Sequence, residues 1–302
     1  MRLGVVVQSE GRTLADVVAQ VRAAAGAGFA SAYLTQRTSW DGIGLAGAAA
    51  REVPGVEVGV AVTQTFPRHP LALAGQALTA QAVGEGRFVL GVGPGHSGEI
   101  EGRFGLPFER PARHVREYLT VLMPLLRGEA VDFHGETLTA VGRAEVPGVT
   151  PPPVLVSALG PAMLRVAGEL ADGTVTVWSG AELMGEYVVP SLTRAAAAAG
   201  RPDPRVLAIT LVSVTADPDR VKARIAEELG AAGNLPSYRA VLDRQGLTGP
   251  QDTVVAGDEA AVERALRSFA DAGTTELVVS PAGDEAEQAR TLEFLASLGG
   301  RV

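Results

Sequence analysis

Hydrophobic positions along this chain alternate between two rhythms. A short β-branched run gives way to a longer Ala/Leu-rich stretch with apolar residues three and four apart, then a glycine, then another short run. The first cycle is Leu3–Val7, then a helical stretch Leu14–Ala27 in which Val17, Val18, Val21, Ala24 and Ala25 recur at helical spacing, closed by Gly28. Thr13 carries the hydroxyl an N-cap needs, and Gly28 suits the left-handed residue that ends a helix. The same cycle predicts strand–helix pairs at Ser31–Thr35 and Gly42–Glu52, Val56–Thr63 and Leu71–Val83, and Arg87–Val92 and Pro111–Leu126. Four more follow: Val154–Ala158 and Met163–Leu170, Thr174–Trp178 and Ala181–Ala199, Val206–Val214 and Asp219–Ala232, and Glu276–Ser280 and Asp284–Leu298.

Strands that are apolar almost throughout belong to a parallel sheet covered by helices. Eight strand–helix units in regular order predict an α/β fold, a (β/α)8 TIM barrel. An open doubly wound sheet is the alternative. Three connections exceed the usual short length. Residues 94–110 follow strand four, residues 128–152 contain an alternating stretch that reads as a hairpin turning at His134-Gly135-Glu136, and residues 233–257 add helix and loop after strand seven. No low-complexity linker interrupts the sequence, so residues 1–302 read as one domain.

Composition narrows the class. Of 302 residues, 46% are hydrophobic and 20% charged, a balance that folds rather than staying disordered. Cysteine is absent, which removes disulfide-stapled scaffolds and thiolate metal sites. The four histidines are scattered without paired metal-ligand spacing, so no metal is expected. The apolar run Leu3–Val7 is too short for a signal-peptide core, and nothing approaches the roughly 20 apolar residues of a membrane span. A cytoplasmic protein without membrane contact is the expectation. The net charge of −8 argues against a nucleic-acid surface. Neither a Gly-x-Gly-x-x-Gly fingerprint opening a helix nor a Gly-x-Ser-x-Gly elbow occurs, so Rossmann and hydrolase readings lack support.

Two blocks carry a resemblance. Val60-Ala61-Val62-Thr63-Gln64-Thr65-Phe66-Pro67-Arg68-His69-Pro70 and Gly86-Arg87-Phe88-Val89-Leu90-Gly91-Val92-Gly93-Pro94-Gly95-His96 strongly resemble the bacterial luciferase-like superfamily. The match is nearest to the branch that uses the deazaflavin coenzyme F420. Ala158-Leu159-Gly160-Pro161-Ala162-Met163 and the shorter Gly26-Ala27-Gly28-Phe29 and Ala171-Asp172-Gly173 agree with it. The resemblance implies an oxidoreductase whose cofactor lies across the C-terminal ends of the barrel strands. It also implies a homodimer joined through the helices of units two and three.

By the same resemblance, Val60, Ala61, Val62 and Thr63 form the floor under the redox ring, with a non-prolyl cis peptide and bulge at Ala61–Val62 or its neighbour. Thr63 and Thr65 offer hydroxyls at the ring edge, although strand propensity alone also accounts for threonine there. Ala158, Leu159 and Gly160 run into a helix start, where free N–H groups and the helix dipole favour the cofactor phosphate. Arg165 is either a further attraction or a solvated helix charge. Gly95 and His96 follow strand four, and His96 is the candidate proton donor or ring-contacting residue, since imidazole titrates near neutral pH. His69 reads as a helix-start residue.

One glucose-phosphate-oxidising branch of the family carries an Asp-His pair where Thr35 and Gln36 stand, followed by a tryptophan matching Trp40. Losing both ionisable groups favours a reductase acting on an activated C=C or C=N bond over an alcohol oxidase. Gln36 then hydrogen-bonds cofactor or substrate, Trp40 walls the substrate pocket, and Trp178 is a second wall or a core residue. Two alternatives stay open: an FMN-dependent monooxygenase on the same fold, and a barrel that binds cofactor without catalysis. The residues name no particular small-molecule substrate.

Overall fold

The computed structural model describes residues 1–36 and 40–300. Its strands are β1 (Arg2–Val7), β2 (Ser31–Leu34), β3 (Glu57–Gln64), β4 (Phe88–Gly93), β5 (Ala130–His134), β6 (Thr139–Arg143), β7 (Val154–Ser157), β8 (Gly173–Val177), β9 (Arg205–Val214), β10 (Val255–Gly257) and β11 (Glu276–Pro281). Eight of these, β1-β2-β3-β4-β7-β8-β9-β11, pair in parallel, and β11 returns to β1, closing the TIM barrel. Short β10 rides on the outer end of β9. β5 and β6 make the antiparallel hairpin, with Phe133 opposite Ala140 and the turn at residues 135–138.

Two apolar layers hold the barrel. Strand residues such as Leu34, Val58 and Leu90 face outward onto the helix ring, where Val17, Leu73, Leu119 and Leu164 are buried. The barrel interior is a smaller cluster of Tyr33, Val89, Leu155, Val175, Leu207 and Val278. At its N-terminal end the interior is plugged by charge. Arg205 reaches Glu57 (3.0 Å), Tyr33 Oη (3.1 Å) and, through Nε, the fully buried Glu276 (2.7 Å), while Ser31 Oγ donates to the same Glu276. The Asp172–Gly173 turn lies at this end too, with Asp172 Oδ2 accepting from the Val154 N–H.

Helix ends follow sequence chemistry. Thr13 and Asp16 form a reciprocal capping box, and Gly28 follows the C-cap with φ +82°. Where the stretch after β8 predicts one helix over Ala181–Ala199, the structure has Ala181–Leu183, a π-helical turn Met184–Val188, and Val189–Ala198. The insertion after β4 contains a helix, Ser97–Phe104, pinned by buried Ile100 and stopped by left-handed Gly105. The insertion after β9 holds the helix Pro236–Arg244. Before β11 comes a further helix, Glu259–Asp271, N-capped by Asp258, which the eight-unit reading passed over. Among the described residues no helix is long and apolar enough to cross a membrane.

Candidate active site at the C-terminal strand ends

The barrel changes character toward its C-terminal end. Val6, Ala61, Val62 and Ile209 pack on the interior cluster yet stay half-exposed, so they form a small-residue floor rather than a closed core. On β3 the pairing with β4 slips between Val60 and Thr63, and the Ala61–Val62 peptide is cis. Glycines in β4 make room for this bulge. A Cβ on Gly91 would strike the Val60 carbonyl, and one on Gly93 would lie 3.1 Å from Val62 Cγ2 and 3.0 Å from Ser157 Cβ. Thr63 is fully buried beside the bulge, and its Oγ1 has no hydrogen-bond partner among the described residues. A buried hydroxyl without a partner is destabilising, and such exceptions point to function.

A cavity of about 700 Å³ opens at the same end of the barrel, lined by Glu10, Gln36, His96, Gly98, Glu99, Arg103 and Leu235, with none of the floor residues in its wall. Its residues come from the loops after β1, β2, β4 and β9, the face where barrel enzymes build sites. His96 is the N-cap of the Ser97–Phe104 helix but makes no side-chain capping bond, which leaves its imidazole to the cavity. Burial holds its pKa below the ordinary 6.5, partly offset by the Glu99 carboxylate. The ring is therefore neutral at pH 7. Glu99 in turn accepts from Gln64 Nε2 (3.3 Å) and lies 3.8 Å from Arg103. Gly95 has φ +76°, and a Cβ there would crowd Gln64 and Ile100.

Across the mouth, β7 ends at Ser157 and the chain enters the Pro161–Leu170 helix through Ala158, Leu159 and Gly160. The Ala158 N–H is spent on the Val175 carbonyl (3.3 Å). Gly160 is the N-cap, carries no capping side chain, and faces open space where a Cβ would sit. The first turn thus presents backbone donors outward, the arrangement that receives an anion. Arg165, one turn on, is exposed.

Three expected contacts come out differently. Gln36 lines the cavity, but its amide is engaged by backbone: Oε1 accepts from Gly42 N–H (2.7 Å) and Nε2 donates to Trp40 O (3.0 Å). One lone pair and one N–H remain for a ligand. Trp40 does not line the cavity. It is 37% exposed, with Nε1 donating to the Arg12 carbonyl, so it clasps the loop after β1 instead of walling the pocket. Thr65 Oγ1 is not free at a ring edge, because His114 Nε2 meets it at 3.1 Å. His69 is the helix N-cap the sequence suggests, accepting from Leu71 N–H and bonded through Nε2 to the Thr139 carbonyl (2.8 Å).

His114 and Glu117 stand beside Arg113 and Arg116 on the helix Pro111–Leu126, in a run that looks solvated, yet both are buried. His114 stacks on Phe66 at 3.9 Å between centroids, and burial lowers its pKa to about 4. Glu117 accepts from the N–H groups of Glu136 and Thr137 and so holds the hairpin turn. The helical period of Pro111–Leu126 places both residues on the inward side with Tyr118 and Leu122, and their polarity concealed it. Trp178, at the end of β8, is buried with a left-handed φ of +55°. Tyr238, unremarked in the sequence, sits between Trp178 and His96. Among the described residues no cluster of three His, Asp or Glu could hold a metal ion.

The mouth of the closed barrel thus combines a bulged, cis-containing third strand, a glycine-relieved fourth and an uncapped helix start after β7. The luciferase-like monooxygenase profile matches residues 1–301, and the chain belongs to that family. It is 32% identical over 243 residues to the F420-dependent glucose-6-phosphate dehydrogenase of Beutenbergia cavernae, covering 74% of this chain and 70% of the relative. It is 31% identical over 211 residues to the 5,10-methylenetetrahydromethanopterin reductase of Archaeoglobus fulgidus, covering 68% of this chain. The chain spans 61% of the Archaeoglobus relative's length and 63% of that of an uncharacterized Mycobacterium tuberculosis protein it also matches. The fold superposes on the coenzyme F420-dependent tetrahydromethanopterin reductase of Methanopyrus kandleri with a TM-score of 0.81 at 24% identity, over 98% of this chain and 97% of that one.

Proposed function

We propose that this protein is an F420-dependent oxidoreductase that passes hydride to an activated C=C or C=N bond of a small organic acceptor. The observation that carries the reading is the bulged floor beside Thr63, whose buried hydroxyl lacks a partner among the described residues where a ring edge would supply one. The residues fit the group. Val60, Ala61, Val62 and Thr63 form a flat seat, Gly91 and Gly93 keep it clear, and Gly95 admits the chain close to the ring. Backbone donors at Leu159 and Gly160 suit the phosphate. The helix dipole at Gly160 attracts the anionic tail, while the cavity wall is of mixed charge, with Glu10, Glu99 and Arg103. Bound there, F420 supplies the hydride chemistry.

The protein's part is to position and protonate. A neutral His96 donates a hydrogen bond to the ring or acceptor, and its protonated fraction delivers the proton that accompanies hydride. Since burial holds its pKa below the ordinary imidazole range, the protonated fraction is small at neutral pH and the reductive rate declines as pH rises. Gln36, with one N–H left, is a weaker ligand than the sequence suggested. The absence of an ionisable pair at Thr35 and Gln36 supports reduction over alcohol oxidation. The apolar groove of about 540 Å³ between helices Gly42–Glu52 and Pro70–Val83 suits self-association as a dimer. Mixing the protein with reduced F420 and either cyclohexenone or dihydroisoquinoline tests the activity: reoxidation of the cofactor with acceptor is expected. Cofactor reduction by secondary alcohols, without acceptor reduction, would reverse the direction assigned.

A further inference from the structure

The backbone of His96 is fixed by its helix, whereas its side chain is held by packing. Its carbonyl accepts from the N–H groups of Glu99 and Ile100 (both 3.0 Å), starting the Ser97–Phe104 helix. Its imidazole forms no capping bond and no hydrogen bond with another described residue. An aromatic ring meets it instead. Tyr238, on the helix Pro236–Arg244 inserted after β9, stands edge-on to His96 with 4.7 Å between ring centres and 62° between planes. An aromatic edge against an aromatic face is a favoured arrangement.

Tyr238 is in turn fixed from the other side. Its ring centre lies 4.4 Å from that of Trp178. Gln245, the C-cap of the same helix, donates through Nε2 to the Trp178 carbonyl (2.9 Å) and accepts at Oε1 from the Gly180 N–H (2.8 Å). Arg244 adds a third hold, its guanidinium 4.0 Å from the centre of the Tyr187 ring. His96 follows β4 and Trp178 follows β8, with β7 between them, so the inserted helix ties together two strand ends that are not neighbours in the sheet. Trp178 itself has a left-handed φ of +55°, a conformation that non-glycine residues hold only where neighbours impose it.

We infer that Tyr238 is a positioning residue that fixes the orientation of the His96 imidazole, and that Gln245 anchors Tyr238 through Trp178. The role rests on the reading of His96 as proton donor given above. A proton donor acts only within hydrogen-bond reach of its acceptor, and a ring without hydrogen bonds of its own has only packing to keep it there. Tyr238 also takes water from one side of His96, in keeping with the pKa that burial lowers. The charged groups near that ring are Glu99 on its own helix, and Glu10 and Arg103 in the cavity wall. From the inserted helix it meets the Tyr238 phenol, which burial holds protonated.

NMR reads the prediction on His96 itself, in the protein without cofactor. With imidazoles labelled at Cε1, the four histidines give four resonances, assigned by single His→Gln variants. The parent should show a His96 resonance displaced by the Tyr238 ring current and titrating below 6.5. Tyr238→Phe, which retains the ring, should preserve both properties. Tyr238→Ala should abolish the displacement and bring the titration toward 6.5, with the other three resonances unchanged as the check on folding. Gln245→Met removes both bonds of the anchor and should move His96 in the same direction, so it carries the prediction if Tyr238→Ala does not fold. Trp40 and Trp178 are the two tryptophans of the chain, so in a Trp40→Phe background acrylamide quenching of Trp178 should rise with Gln245→Met. With reduced F420 and acceptor, Tyr238→Ala should lower kcat about tenfold or more at unchanged KM, a part of the ~10²–10⁴-fold that a placed acid contributes. A His96 resonance that neither Tyr238→Ala nor Gln245→Met moves overturns the inference. A resonance that moves while kcat does not would leave Tyr238 holding His96 and overturn the proton-donor reading alone.

Discussion

Thr63→Val tests the cofactor seat by asking for two opposite effects from one isosteric change. Thr63 is fully buried, and its Oγ1 lacks a partner among the described residues. Valine keeps the β-branch and volume, and therefore the strand geometry, while replacing the hydroxyl by a methyl. An unsatisfied buried hydroxyl costs about 1–3 kcal/mol, so the ligand-free variant should be more stable by about that amount. For a chain of this size that is a Tm rise of roughly 2–5 °C. The same hydroxyl is assigned to the ring edge, where a neutral hydrogen bond contributes about 1 kcal/mol net. F420 should therefore bind the variant roughly fivefold more weakly. Differential scanning fluorimetry without ligand and a fluorescence titration with F420 read the two effects. A variant that melts lower and binds F420 unchanged would refute the reasoning, because it would mean that the hydroxyl has a structural partner and no ligand.

Three further outcomes follow from other parts of the molecule. His114 is held neutral by burial, with a pKa near 4 against an ordinary 6.5. The unfolded chain then binds more protons than the folded one, so this group's contribution is complete above about pH 6.5 and is lost as pH falls toward 4. His114→Gln should flatten that part of the acid dependence by roughly 1–2 kcal/mol, allowing for screening by residual solvent contact, when urea midpoints at pH 7 and pH 4.5 are compared. Glu276→Ala at the barrel bottom removes the fully buried carboxylate from half-buried Arg205, which keeps Glu57 and Tyr33, and should cost about 2–3 kcal/mol in urea unfolding while F420 affinity in the folded protein stays within twofold. Gly75 faces the groove between Gly42–Glu52 and Pro70–Val83 with open space at its Cβ, so Gly75→Arg should convert a dimer to a monomer in light scattering; an unchanged mass would place the interface elsewhere.

The barrel was legible because strands buried on both faces read as short, nearly continuous apolar runs, while each helix keeps a 3.6-residue apolar period on its inward side. Val17, Val21 and Ala24 lie on the inward side of their helix for that reason. The bulge and cis bond at Ala61–Val62 were legible through the family resemblance of Val60–Thr63, and the structure supplies the physical reason, since Gly91 and Gly93 leave the room that a bulge needs. Local polarity misled elsewhere. Arg113-His114 and Arg116-Glu117 look like surface charge, yet His114 and Glu117 are buried because each finds a specific partner, Thr65 and the hairpin turn. Trp40 looked like a pocket wall because it matches a tryptophan of the glucose-phosphate-oxidising branch. Its indole N–H found a backbone carbonyl across the neighbouring loop, a tertiary event that no short-range pattern encodes. Tyr238 escaped notice for the same reason: its meaning comes from His96 and Trp178, 142 and 60 residues away in the chain.

The central claim is that a deazaflavin ring rests on the Val60–Thr63 bulge. Equilibrium titration of the purified protein with F420 and with FMN, each oxidised and reduced, measures it most directly. The account predicts saturable binding of F420, tighter than FMN by about tenfold or more, equivalent to ~1.4 kcal/mol or above. Tighter binding of FMN, or no saturable binding of F420 in either redox state, would contradict it.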